Sequence, residues 1–302
     1  MSNVRGKESV LFEGFEDKYI EVDGATIRCR VGGEGPPLLL LHGYPQTHVM
    51  WHGVVERLKD NFTIVASDLR GYGDSSTPPS SLDHTTMSKR AMSADQVAVM
   101  NRLGFERFFV GAHDRGARVA HRMAIDFPDQ VLKMVLLDIA PTREMYERTD
   151  FNFAQAYWHW YYLTQPAPMP EAMIGADPVS FWKWKCISGD KGDDHFTAEA
   201  LAEYLRCFSN PEVIRCSCED YRAAATIDLE HDAADGEKKF DCPTLVLWGA
   251  MGVIEACFDA VELWKLRGSD IQGHSLPGGH YLAEELPDET ATAFLQFFQP
   301  TT

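Results

Sequence analysis

Asp114 sits in the run Gly111-Ala112-His113-Asp114-Arg115-Gly116, between a short apolar segment and one with helical spacing. Before it, Arg107-Phe108-Phe109-Val110 reads as a buried strand. After it, Val119, Ala120, Met123, Ala124 and Phe127 recur as one face of a helix. Small residues at Ala112 and Gly116 suit a strand that turns sharply into a helix and pushes the residue between them out as a nucleophile. Serine is the usual occupant of such a turn. A carboxylate there cannot acylate as serine does, but it can attack saturated carbon and form an ester that water later cleaves. The expected chemistry therefore moves from acyl transfer to displacement at carbon.

Ester cleavage needs a base, and the base needs an acid to orient it. A nucleophile elbow marks the α/β-hydrolase fold, in which the histidine comes last along the chain. His280, in the glycine-rich loop Leu276-Pro277-Gly278-Gly279-His280-Tyr281, is the expected base. The fold places the acid after either of two strands. Residues 244–248 run into Gly249-Ala250-Met251-Gly252-Val253 with no acid before Glu255, whereas residues 131–137 end directly in Asp138. Asp138 is the expected third member, holding the imidazole tautomer; an aspartate that merely ends a strand is the competing reading. The loop His42-Gly43-Tyr44-Pro45 offers the backbone N–H of Tyr44, with that of Arg115, as oxyanion donors. Because Tyr44 precedes a proline, a cis bond is open to it. Arg115 and Arg118, three apart at the start of the helix, can both face the space above Asp114. Together they can grip a substrate carboxylate bidentately and offset its repulsion from Asp114. Arg122, opposite Asp126 one turn on, reads as a solvated pair with no catalytic part.

These motifs together, with His-Gly-Tyr-Pro at 42–45, Asp-Leu-Arg-Gly-Tyr-Gly-Asp at 68–74 and Tyr157-Trp158-His159-Trp160, resemble the fluoroacetate (haloacetate) dehalogenase family. The likeness runs from about Phe12 to the final helix. It implies nucleophile, base and acid at Asp114, His280 and Asp138, carboxylate binding at Arg115 and Arg118, and a homodimer. It also implies a halide pocket at His159, Trp160 and Tyr221. Where the family carries phenylalanine in the oxyanion loop, this chain has Tyr44; the backbone donor is what matters there. The Lys183–Phe196 stretch resembles the family less. Chemistry supports the pocket independently: a strongly hydrated halide leaves only into a dry site with several fixed donors, which imidazole, indole and phenol supply.

The elements that must hold these residues follow the same pattern. Residues 18–22 and 25–29 alternate as a hairpin about Asp23-Gly24. Apolar runs at 37–41, 62–66, 107–111, 131–137 and 244–248 alternate with helical patterns, which predicts a mainly parallel, doubly wound sheet. From 143 to 236 no long buried strand is visible, and four of the seven tryptophans lie there (Trp158, Trp160, Trp182 and Trp184). The expected organisation is a core over 1–142 and 237–302 with a helical cap inserted at 143–236.

A net charge of −17 argues against nucleic acid and membranes as partners, so a small anionic substrate must be drawn in by local positive charge. Seven irregularly spaced cysteines point to reduced thiols and a cytoplasmic protein. Cys216 and Cys218 have no second pair to complete a zinc site, and neither a metal nor a cofactor is expected. Three other readings compete. An epoxide hydrolase uses the same nucleophile but has no use for paired arginines. A haloalkane dehalogenase wants an apolar pocket and usually an indole donor directly after the nucleophile, where this chain has Arg115. A non-catalytic ligand receptor needs no complete triad.

Overall fold

The computed structural model describes residues 11–187 and 195–298. Leu38 to Leu41 are fully buried in β3 (Pro37–Leu41). A strand apolar on both faces needs helices on both sides, and that is the condition at the centre of a parallel sheet. β3 pairs in parallel with β4 (Thr63–Ser67) on one side and with β5 (Phe108–His113) on the other. Beyond β5 the parallel pairing continues through β6 (Val131–Leu137), β7 (Thr244–Gly249) and β8 (Ile271–Leu276). The hairpin of β1 (Glu16–Val22) and β2 (Ala25–Gly32) joins β4 antiparallel. The strand order is β1-β2-β4-β3-β5-β6-β7-β8.

β4, β5 and β7 each extend one or two residues past their expected ends. β8 is a strand that the hydrophobic pattern did not reveal. It is the sheet's last strand and pairs only with β7, so Gln272, His274 and Ser275 stand exposed and no apolar run forms.

The chain leaves β3, β5, β6 and β7 at one edge of the sheet, so residues far apart in sequence meet there. Two glycines allow the close approaches this requires. A Cβ on Gly116 would lie 2.5 Å from the His42 carbonyl oxygen. One on Gly249 would collide with the Gly279 backbone, so the loop bearing His280 rests directly on the end of β7.

Between β6 and β7 the described elements are all helices, from Thr142–Glu147 to Ile227–Asp235. They cover the elbow helix Arg115–Asp126, which is buried from Arg115 to Ile125. This corrects the reading of Arg122 as a solvated pair. Its side chain is buried and bonds Asp232 at 2.8 Å and Asp235 at 2.7 Å, besides Asp126 at 3.3 Å. The local Arg122–Asp126 spacing was visible in the sequence; the helix that packs over it from a hundred residues away was not.

Candidate active site

Asp114 occupies the turn between β5 and the elbow helix at φ 46° and ψ −111°, a conformation that costs a residue with a Cβ about 1–3 kcal/mol. Its side chain meets the loop that leaves β3, where Oδ1 accepts the Tyr44 backbone N–H at 2.9 Å. Tyr44-Pro45 is a cis bond. Burial works to raise the Asp114 pKa, but the nearby His280, His113 and Arg115 outweigh it and hold the carboxyl below its ordinary value. The carboxylate is thereby kept ionised. Arg115, the second expected oxyanion residue, opens the helix immediately after it.

His280 and Asp138 meet at 2.6 Å, Nδ1 to Oδ2. The other oxygen of Asp138 accepts the Gly249 N–H at 2.9 Å, so the carboxylate is fixed against β7 while it holds the His280 imidazole. Glu255, the rival acid, instead accepts the Trp248 indole N–H. His113 braces the base loop through Nε2 and the His280 carbonyl oxygen, 2.9 Å apart. Burial pushes the His113 pKa down to about 3, so it stays neutral and donates that proton.

The two arginines are not equivalent. Asp220 takes Arg115 in a fork, with Nε at 2.8 Å and Nη2 at 2.7 Å, and its carbonyl oxygen takes Nη2 again at 2.8 Å. Only Nη1 of Arg115 is left without a protein partner. Arg115 therefore has one nitrogen left to offer a ligand, because its fork is already committed to Asp220. Arg118 bonds Thr142 Oγ1, lies over the Trp160 ring at 4.6 Å, and leaves Nε unpartnered. Burial and the neighbouring Arg115 lower its pKa to about 10, which still leaves it charged at neutral pH.

His159, Trp160 and Tyr221 are buried, and the His159 and Tyr221 rings pack 5.8 Å apart, centroid to centroid. His159 Nδ1, Trp160 Nε1 and Tyr221 Oη have no partner among the described protein atoms, a condition that buried polar groups seldom tolerate without a ligand or water. The Arg115 guanidinium stacks on Tyr221 at 4.1 Å. Burial, then the nearby Asp114, pushes the Tyr221 pKa well up, so its O–H remains a donor. Burial, then the Lys185 charge, pushes His159 well below its usual range, so it is neutral with one N–H.

Sequence reasoning missed Asp220, Lys89 and Tyr72. Lys89 Nζ and the Tyr72 hydroxyl both donate to the Asp220 carboxylate that holds Arg115. Burial would raise the Asp220 pKa, yet Arg115 and Lys89 hold it well below the carboxylate range. The available signal was an acid beside Tyr221 in a helix, Pro211–Ala224, whose residues from Cys216 to Ala224 are all buried. Also missed was Tyr157, whose hydroxyl lies 3.3 Å from His280 Nδ1.

Residues 36–264 match the model of the alpha/beta hydrolase fold family. The chain belongs to that family. It is 47% identical to a fluoroacetate dehalogenase of Burkholderia sp over 289 residues, 95% of each chain, and is a member of the haloacetate dehalogenase family. A putative alpha/beta hydrolase from Nostoc sp PCC 7120 superposes with a TM-score of 0.93 at 53% identity, covering 96% of this chain and 99% of that one. A soluble epoxide hydrolase of Corynebacterium sp. (strain C12) is more distant, 29% identical over 92% of this chain and 96% of its own.

Proposed function

We propose that the protein hydrolyses the carbon–halogen bond of small 2-haloacids such as fluoroacetate or chloroacetate through an ester on Asp114. The observation that carries the reading is the set of three unpartnered buried polar atoms, on His159, Trp160 and Tyr221, in rings that pack on one another or on the two buried arginines beside an ionised aspartate. A halide leaving group and a substrate carboxylate would use both sets.

In the first half-reaction an Asp114 oxygen forms a bond to the α-carbon as the carbon–halogen bond breaks, and the electron pair leaves with the halide toward His159, Trp160 and Tyr221. Arg115 Nη1 and Arg118 hold the carboxylate. In the second, His280 takes a proton from water and hydroxide adds to the ester carbonyl carbon. The Tyr44 N–H, already bonded to Oδ1, and the Arg115 N–H stabilise the oxyanion. The C–O bond to glycolate then breaks, the glycolate oxygen takes up a proton, and Asp114 returns as a carboxylate carrying one solvent oxygen. One proton is released overall. The insertion expected over 143–236 serves as the cap that keeps bulk water from the halide. Every step uses this chain's own groups and water; the family resemblance adds a homodimer to the reading, and the irregularly spaced cysteines a cytoplasmic setting.

A single turnover in heavy-oxygen water with enzyme in excess tests the mechanism. Label should enter the Asp114 carboxylate and leave the glycolate hydroxyl nearly unlabelled. Label passing straight into glycolate refutes the ester. Epoxide hydrolysis is the alternative, favoured by the Corynebacterium relative and by the tyrosines Tyr157 and Tyr221. Turnover of a small epoxide with no halide released from haloacetates would establish it instead.

A further inference from the structure

A cavity of about 490 Å³ opens between the helical insertion and the loops that follow β7 and β8, and His280 forms part of its wall. Tyr157 and Cys186 line it from the insertion, and Gly252 and Tyr281 from the core. Among the described residues lining it there is no aspartate or glutamate, and Lys185 is the one that carries a fixed positive charge. Lys185 is half-buried near the end of the helix Pro178–Ile187.

In a protein with a formal charge of −17, an anionic substrate is repelled by most of the surface. A passage whose described lining holds no carboxylate, with a lysine and His280 in its wall, offers such an anion little repulsion. We propose that this cavity is the access route for the haloacid and that Lys185 captures its carboxylate on the way to Arg115 and Arg118. The proposal rests on the haloacid reading above. The Lys185 charge is also felt inside the site, where, after burial, it is the largest influence lowering the His159 pKa. Lys185, half-buried, stands in a wall where a substrate still in exchange with solvent would meet it.

The test is steady-state halide release from chloroacetate by the native protein and by Lys185→Gln and Lys185→Arg. Rates are taken at about 0.01 M salt, where charges act over about 30 Å, and at about 1 M, where they act over about 3 Å. We expect kcat/KM of Lys185→Gln to fall about three- to tenfold at low salt through KM, with kcat within about twofold of native. At high salt the deficit should vanish, and Lys185→Arg should behave as native throughout. An unchanged kcat/KM at low salt, a deficit that does not respond to salt, or a loss confined to kcat each overturns the capture role. Failure of the native protein to release halide refutes the haloacid reading itself. Release by native protein with a normal Lys185→Gln refutes only the lysine.

Discussion

Replacing Asp138 by asparagine separates the two half-reactions. The carboxylate is fully buried and makes two contacts, one to His280 Nδ1 at 2.6 Å and one to the Gly249 N–H at 2.9 Å. Asparagine keeps the shape, and its oxygen can still accept from Gly249. Its NH2 group then faces His280, and two donors cannot share that contact. The imidazole is driven to the tautomer with its proton on Nε2, the nitrogen that must take the proton from water. In a serine protease the same change costs about 10⁴ in kcat, and the worth of the contact here should be similar, roughly 5 kcal/mol on the hydrolytic barrier. Ester formation draws on Asp114, the arginines and the halide donors, none of which needs the His280 tautomer. Asp138→Asn should therefore release close to one halide per site in a rapid-quench experiment and then turn over about 10⁴-fold more slowly than native. Intact-mass measurement should show the ester accumulating on the Asp114 peptide. A folded Asp138→Asn protein with near-native multiple turnover, or one lacking the initial burst as well, would refute this division of labour.

Arg118→Leu should lower kcat/KM for chloroacetate by about ten- to a hundredfold, the value of one charge-assisted contact of about 1.5–3 kcal/mol, and the native protein should not dechlorinate a neutral chloroalkane. Asp220→Asn leaves Lys89 and Arg115 buried without their shared counter-charge, so denaturant unfolding should show a loss of about 3–5 kcal/mol. Because the folded state lowers the Asp114 pKa, its stabilising contribution is complete above the unfolded value of about 3.9 and is lost as pH falls through the lowered one. For the same reason the halide burst should hold its rate as pH drops toward 3.9 and decline only below it, as rapid-quench measurements across that range can check.

The sequence alone determined what depends on neighbours along the chain. Leu38 to Leu41 had to be a central strand because an unbroken apolar run needs cover on both faces. Asp114 had to be at an elbow because small residues flank it between a strand and a helical pattern. Asp138 could be preferred to Glu255 because it directly follows its strand, and each end of the triad lay in a short readable motif. What the sequence could not carry was whatever depends on partners arriving from elsewhere. The edge strand β8 is half exposed, so its hydrophobic signal is weak. Arg122 shows its helical neighbour Asp126 but not Asp232 and Asp235. The sequence shows Arg115 beside Asp114 but not the helix carrying Asp220, which takes its guanidinium fork. Period and motif record local geometry, whereas the pairing of buried charges is settled only when the insertion folds onto the core and each desolvated group must find an opposite charge or a hydrogen bond.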